Sequence, residues 1–190
     1  MNDKKLKIIS KETLRSGFLS INRYSLQHSL YKGGMSEPVV REVLERGHAV
    51  AVLLHDPSRD EIVLVEEFRI GAIHSESAWV CGPVAGMIEA GETPENVARR
   101  EAAEESGSMV KDLRYIGKYY NSVGGSTETT TVFYAQIDSS NVSGVHGVDG
   151  ENEDIEVVKL SADQFRRLIS SNQTHNASTM IAGLWFMNNF

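Results

Sequence analysis

The stretch AGMIEAGETPENVARREAAEESGS, residues 85–108, constrains this chain more than any other. Thr93 suits a helix N-cap, Pro94 a first helical position where no N–H is needed, and Gly107 a C-terminal cap, so the spacing predicts a helix over 94–106. That helix is poorly stabilised on its own. At about 100° per residue, Glu101, Glu104 and Glu105 fall within an arc of about 100°. Like charges at this spacing repel by about 0.2–0.5 kcal/mol per pair. They also crowd the last turn, where the helix dipole disfavours anions by about 0.3–1 kcal/mol each. Arg100, four residues before Glu104, offsets one of them and cannot reach all three. The arc also contains Val97, with Ala98 at its edge, so this face turns towards protein. Solvated acids are the plain alternative, but carboxylates on a partly packed face need a cation, and oxygen-only donors favour Mg²⁺ or Mn²⁺. Gly86 and Gly91 bracket a tight loop ahead of the helix, able to bring carbonyls and N–H groups to a metal or phosphate.

The rest of the chain reads mainly as strands. Residues 18–30 and 38–46 alternate loosely about a turn containing Gly33 and Gly34, which predicts a long antiparallel ribbon over 18–46. HAVAVLLH (48–55) and IVLVEEFRI (62–70) are more continuously apolar and predict a core hairpin. Further strands are expected at 113–121, 129–137 and 155–160. SADQFRRLIS, opened by Ser161, and ASTMIAGLWFMNN, with Met180, Ile181, Leu184 and Trp185 at helical spacing, predict two late helices. Residues 138–154 are rich in Gly, Ser, Asn and Asp and predict a long mobile loop, a length unusual unless it serves function.

Charge narrows the function. Residues 1–50 hold nine Lys+Arg and five Asp+Glu; the whole chain holds 19 and 26, so the remaining 140 of its 190 residues carry a strongly acidic balance. No concentrated cationic face for nucleic acid is present. No apolar run approaches the ~18 residues of a membrane span, and the N-terminus has no apolar signal-peptide core. The lone Cys81 excludes an intramolecular disulfide framework and a four-cysteine zinc site, so a cytoplasmic protein is the expectation.

Gly86, Glu92 and the run Arg100-Glu101-Ala102-x-Glu104-Glu105-x-Gly107 stand at the spacings of the Nudix box, and the chain resembles the Nudix hydrolases. The resemblance implies a loop–helix–loop that binds divalent metals and activates water against a nucleoside-linked diphosphate. The implied fold class is α/β (α+β): a Nudix α/β/α sandwich with a mixed β-sheet, plus N-terminal antiparallel strands. Residues 1–47 would form a strand region for dimerisation by strand exchange, and residues 48–190 the hydrolase domain. Beyond the box, SGFLSINRYSL, GGSTE, GVHGVDGENEDIEV and ASTMIAGLWF are similar to the bacterial ADP-ribose pyrophosphatases. Those are homodimers with shared active sites that cleave ADP-ribose to AMP and ribose 5-phosphate.

Carried over position by position, the resemblance makes Glu101, Glu105 and Glu153 metal ligands, with Ala85 ligating through its carbonyl. Two or three Mg²⁺ are implied, with Mn²⁺ as the other candidate. Glu104 becomes a helper paired with Arg100 or with a water of the metal, and Glu151 the base, on a loop that can close over substrate. Phe18 and Arg69 match positions that hold the adenine. Arg41 and Glu42 match positions near the diphosphate and ribose that come from the partner subunit, and Glu128 matches an active-site loop position. Three residues depart from the family: Gly82 replaces a carboxylate, Val123 a proline and Ser108 an aliphatic residue. Trp79 and Cys81 are read as packing residues. The alternatives are cleavage of another nucleoside diphosphate sugar, such as GDP-mannose, and a non-catalytic ADP-ribose-binding module.

Overall fold

The computed structural model describes residues 4–148, 150, 152–171, 173–174 and 176–190. It separates into two units, Met1–Gly47 with Tyr120–Thr129, and His48–Tyr119 with Thr130–Phe190.

In the first unit, β1 (Leu6–Arg15), β2 (Ser20–His28) and β3 (Val39–Glu45) form an antiparallel sheet in that order. The expected ribbon is present, with Ser20 opposite Glu45 and Leu26 opposite Val39. Gly33 and Gly34 take φ of 97° and 76° in its turn, where other residues would be strained. β1 went unpredicted because LKIISKETLR has no burial rhythm to read, and every one of its residues is exposed. Its place is set by pairing to β2 and by a polar knot. Buried Asn22 accepts from the Thr13 hydroxyl at 2.8 Å and donates to Glu45 at 2.7 Å, while Lys11 reaches Glu45 at 3.1 Å.

The second unit contains β4 (Ala49–Asp56), β5 (Glu61–Phe68), β6 (Trp79–Gly82), β7 (Val84–Met87), α1 (Pro94–Ser106), β8 (Asp112–Tyr120), β9 (Thr129–Gln136), β10 (Val145–His146), β11 (Ile155–Ser161), α2 (Ala162–Ser170) and α3 (Ala177–Asn189), the ends of β8 and β9 reaching into the first. The sheet runs β10-β11-β5-β4-β9-β8 and is mixed, because β4 and β9 are parallel. Strand alternation sorts its residues into two cores. Val50, Val52, Leu54, Val63, Val65 and Phe133 join Val97, Ala98 and Ala102 of α1. Leu53, Ile62, Leu64, Val132 and Tyr134 join Phe165 of α2 and Phe186 of α3 on the opposite face. Helix, sheet and helices therefore stack as an α/β/α sandwich.

β4 and β5 pair from Leu54–Val63 to Asp56–Glu61 and then part. β6 takes the free side of β5 and β7 that of β4, with Ala51 opposite Ala85 and Val50 opposite Gly86. The fork carries the chain directly to α1. Thr93 caps that helix by accepting from the Asn96 N–H at 3.3 Å, and Gly107 closes it in the left-handed conformation. Ser161 and Gln164 form a full capping box on α2.

Two expectations change. The fully buried side of α3 is Thr179, Ala182, Gly183 and Phe186; of the expected apolar stripe, Met180, Ile181 and Trp185 pack partly buried against the same core and Leu184 is half exposed. Small residues face inward because α2 comes close: a Cβ on Gly183 would stand 2.3 Å from Ile169 Cδ1. The 138–154 segment is anchored rather than free at its start. Ser139 donates to Asp56 through its N–H at 2.8 Å and its hydroxyl at 3.0 Å, Val142 is buried, and β10 pairs with β11. Among the described residues no helix is long and apolar enough to cross a membrane.

Asp56 is buried, which disfavours its charge, yet donors from Ser58 and Ser139 outweigh that and hold its carboxyl well below the usual carboxylate range. Asp56→Asn would set an amide N–H against the Ser139 N–H. A loss of about 1.5–3 kcal/mol in urea unfolding is expected at neutral pH. A folded pKa below the unfolded one confers stability above the unfolded value, so the difference between variant and wild type should shrink as pH falls below about 4. A pH-independent difference would contradict this account.

Candidate metal and diphosphate site

The fork and α1 between them build a carboxylate-lined cavity of about 310 Å³, bordered by Ala85, Gly86, Glu89, Glu92, Arg100, Glu101, Glu104, Val148 and Glu153. Glu101 and Glu105 lie on the buried side of α1 with Val97, Ala98 and Ala102, as the helical arc predicted. Glu101 comes forward because Gly86 leaves room: a Cβ there would stand 1.7 Å from Glu101 Oε1. Glu105 is more deeply buried, with Oε2 accepting from the Ala85 N–H at 3.0 Å. Burial pushes its carboxyl up to about 8; the Ala85 bond opposes this, and Glu67 and Glu101 add to it. Burial also raises Glu101, against the pull of Arg100.

Arg100 reaches further than expected. Its guanidinium donates to Glu101 at 2.8 Å and Glu104 at 2.9 Å through one amino group, and to Glu92 at 3.1 Å and 3.2 Å. The Gly86 gap lets Glu101 swing beside its neighbour, so Arg100 offsets two helix acids rather than one. Glu105 stays outside its reach. Glu153 approaches from the loop with Oε2 accepting from the Val148 N–H at 3.1 Å. Gly147, at φ 119°, permits this: a Cβ there would lie 2.7 Å from Glu153 Cβ.

The structure thus brings Ala85, Arg100, Glu101, Glu104 and Glu153 to one cavity, with Glu105 behind it. Glu151 lies outside the described residues. Arg69, at the end of β5, pairs with Glu67. Glu67 was missed in the sequence, although it continues the inward-facing series Val63, Val65; an acid on that rhythm was the available signal. In the first unit, Phe18 is 90 % exposed, with the Arg46 guanidinium 6.0 Å from its ring centroid. Arg46 also stands 3.7 Å from the buried Glu128. Arg41 donates to the Val40 carbonyl at 2.7 Å, and Glu42 accepts from Arg23 at 3.0 Å.

The family model of the NUDIX domain matches residues 45–177. The chain belongs to the NUDIX family. It is 44% identical over 181 residues to an ADP-ribose pyrophosphatase of Escherichia coli K12, covering 95% of this chain and 87% of the relative. A GDP-mannose pyrophosphatase of Escherichia coli SMS-3-5 is 31% identical over 175 residues, covering 88% and 90%. A solved structure described as an ADP compounds hydrolase superposes with a TM-score of 0.70 at 20% identity, covering 97% of this chain and 95% of its own, a likeness of fold.

The departures of this NUDIX chain have structural readings. Ser108 is buried and hydrogen-bonds Ser106 at 2.8 Å, so a satisfied hydroxyl pair fills the aliphatic slot. Gly82 faces the other layer: a Cβ would meet Asn176 Nδ2 at 2.5 Å and Thr179 Oγ1 at 3.2 Å, both on the α3 side of the sheet. Val123 is exposed. Cys81 is partly buried and its thiol is pushed up to about 11 by burial, which suits a packing role. Trp79 is not a core residue; its indole meets Phe68 edge-on and is otherwise largely exposed.

A divalent cation fits this donor set. Carboxylates and a backbone carbonyl are hard oxygen ligands, and the Gly86 gap leaves them open. Among the described residues no three acidic, histidine or cysteine groups converge as they stand. Arg100 holds Glu101, Ala85 holds Glu105 and Val148 holds Glu153. Glu105→Gln keeps the Ala85 bond while removing a buried charge. Metal-free Glu105→Gln should melt above wild type at pH 8, at about 2–4 °C per kcal/mol recovered. Wild type alone should gain a marked rise in Tm from added Mn²⁺. An equal Mn²⁺-dependent rise in both proteins would refute Glu105 as a ligand.

Proposed function

We propose that this chain hydrolyses ADP-ribose to AMP and ribose 5-phosphate with Mg²⁺. The observation that carries this reading is the buried pair Glu101, against the side-chain-free Gly86, and Glu105, against the Ala85 N–H, in a NUDIX domain. The 44% identity to an ADP-ribose pyrophosphatase, against 31% to a GDP-mannose pyrophosphatase, favours the adenosine substrate.

Glu101, Glu105, Glu153 and the Ala85 carbonyl would hold the two or three cations, which neutralise the diphosphate and lower the pKa of the attacking water. The other roles fall to the chain's own groups. Glu151 takes the proton of the attacking water as general base. Arg100 keeps Glu92 and Glu104 neutralised, holding the loop ahead of α1 to the helix. Phe18 stacks on the adenine, Arg69 contacts it, and Glu128 orients substrate. Arg41 and Glu42 of the partner subunit meet the diphosphate and ribose.

A homodimer that shares its active sites accompanies this reading. The exposed Leu6, Ile8 and Ile9 on β1 support it, since a strand with every residue in water gains its stability from a neighbour.

With Mg²⁺ and a panel of ADP-ribose, GDP-mannose, ADP-glucose and FAD, the highest kcat/KM is expected on ADP-ribose, with AMP as the nucleotide product. Binding of ADP-ribose without AMP release would instead mark a sensor. Glu105→Gln should abolish turnover, and Glu151→Gln should cut kcat while Mn²⁺ affinity persists. Light scattering should give about twice the 21.0 kDa chain mass; a monomer would remove the shared roles of Arg41 and Glu42.

A further inference from the structure

Glu67 is a costly residue where it stands. It follows Val63 and Val65 on the side of β5 that faces α1, and its side chain is 13% exposed. Burial raises its carboxyl, Arg69 opposes that, and Glu153 adds to it; Glu67 in turn raises Glu105. An uncharged residue would serve the fold better at this position. What the charge achieves is visible two residues on. Among the described residues, Glu67 is the carboxylate in ion-pair contact with Arg69, through one amino group of its guanidinium. Arg69 is half exposed and begins the turn leading to β6, its backbone N–H donating to the Ala78 carbonyl at 2.8 Å. Its main chain is therefore tied to the residue just ahead of β6, and its side-chain head is paired with Glu67.

We infer that Glu67 is a positioning residue for base recognition, holding the Arg69 guanidinium in one orientation before the nucleotide arrives. This rests on the proposed role of Arg69 against the adenine. A long arginine side chain left free must be ordered by the ligand, and that ordering is charged against affinity. A head already anchored through a buried carboxylate has lost that freedom in advance, and it keeps its remaining donors and flat face for the base. The base is remote from the bond that breaks. Pre-ordering Arg69 therefore strengthens ground state and transition state alike and shows in KM rather than kcat.

The test is a double-mutant cycle of Glu67→Gln and Arg69→Ala, read by ADP-ribose kinetics and by AMP as a competitive inhibitor. Glu67→Gln is isosteric and removes a buried charge, and a thermal melt confirms that it folds. Expected are rises of about three- to tenfold in KM and in the AMP inhibition constant, with kcat within about twofold. In the Arg69→Ala background, Glu67→Gln should add nothing. Penalties that multiply would show Glu67 acting independently of Arg69, and a fall in kcat with weakened Mn²⁺ binding would make it part of the metal site; either overturns the inference. A raised KM for Arg69→Ala with none for Glu67→Gln overturns it while leaving the substrate reading intact. An unchanged KM for Arg69→Ala removes the role of Arg69 and the inference with it.

Discussion

Two buried glutamates, Glu101 and Glu105, with a half-buried third, Glu104, beside them in the last turns of one helix cannot be left uncompensated. Repulsion, the helix dipole and desolvation all act against them together. The second unit is arranged around that conflict. Arg100 answers part of it by holding Glu92, Glu101 and Glu104 at once. The Ala85 N–H answers another part at Glu105. What remains is the raised pKa of both buried acids, the electrostatic signature of a place made for a cation.

The sheet explains how the acids come to face one cavity. Where β4 and β5 part, β6 and β7 fill the gap and lead straight into the helix. Gly86 therefore lies against Glu101 with no side chain between them, and Ala85 presents its N–H to Glu105. Apolar residues on the two sides of β4, β5 and β9 lock α1 on one face and α2 and α3 on the other. The site is thus carried by buried secondary structure, while Glu153 comes from a loop whose start is tied to Asp56 through Ser139.

Much of this was legible in the chain itself. Thr93, Pro94 and Gly107 bounded α1 because caps are local chemistry, and Glu101 and Glu105 of the acidic arc turn inward with Val97 and Ala98 while Glu104 stays at the rim. The core strands announced themselves by continuous apolar runs. β1 did not, because a strand with no buried residue has no rhythm to detect. The apolar spacing of α3 places Met180, Ile181 and Trp185 against the core, but not the small residues at its centre, because size there follows the neighbour rather than the helix: Gly183 faces Ile169 where bulk cannot fit. Sequence spacing gives Arg100 one partner, Glu104, because it shows helical neighbours and not the room that Gly86 leaves for Glu101. Glu67 escaped notice for a related reason, since an acid ending an apolar strand looks like a surface residue until its partner is seen.

The central claim is that Glu101 leaves Arg100 for a cation, with Glu105 and the Ala85 carbonyl completing the site. Anomalous diffraction from crystals grown with Mn²⁺ tests it most directly. The account predicts a manganese peak touching oxygen atoms of Ala85, Glu101 and Glu105, with the Arg100–Glu101 contact opened and the Arg100–Glu92 contact kept. An intact Arg100–Glu101 pair, with no peak beside Glu105 at saturating Mn²⁺, would contradict it.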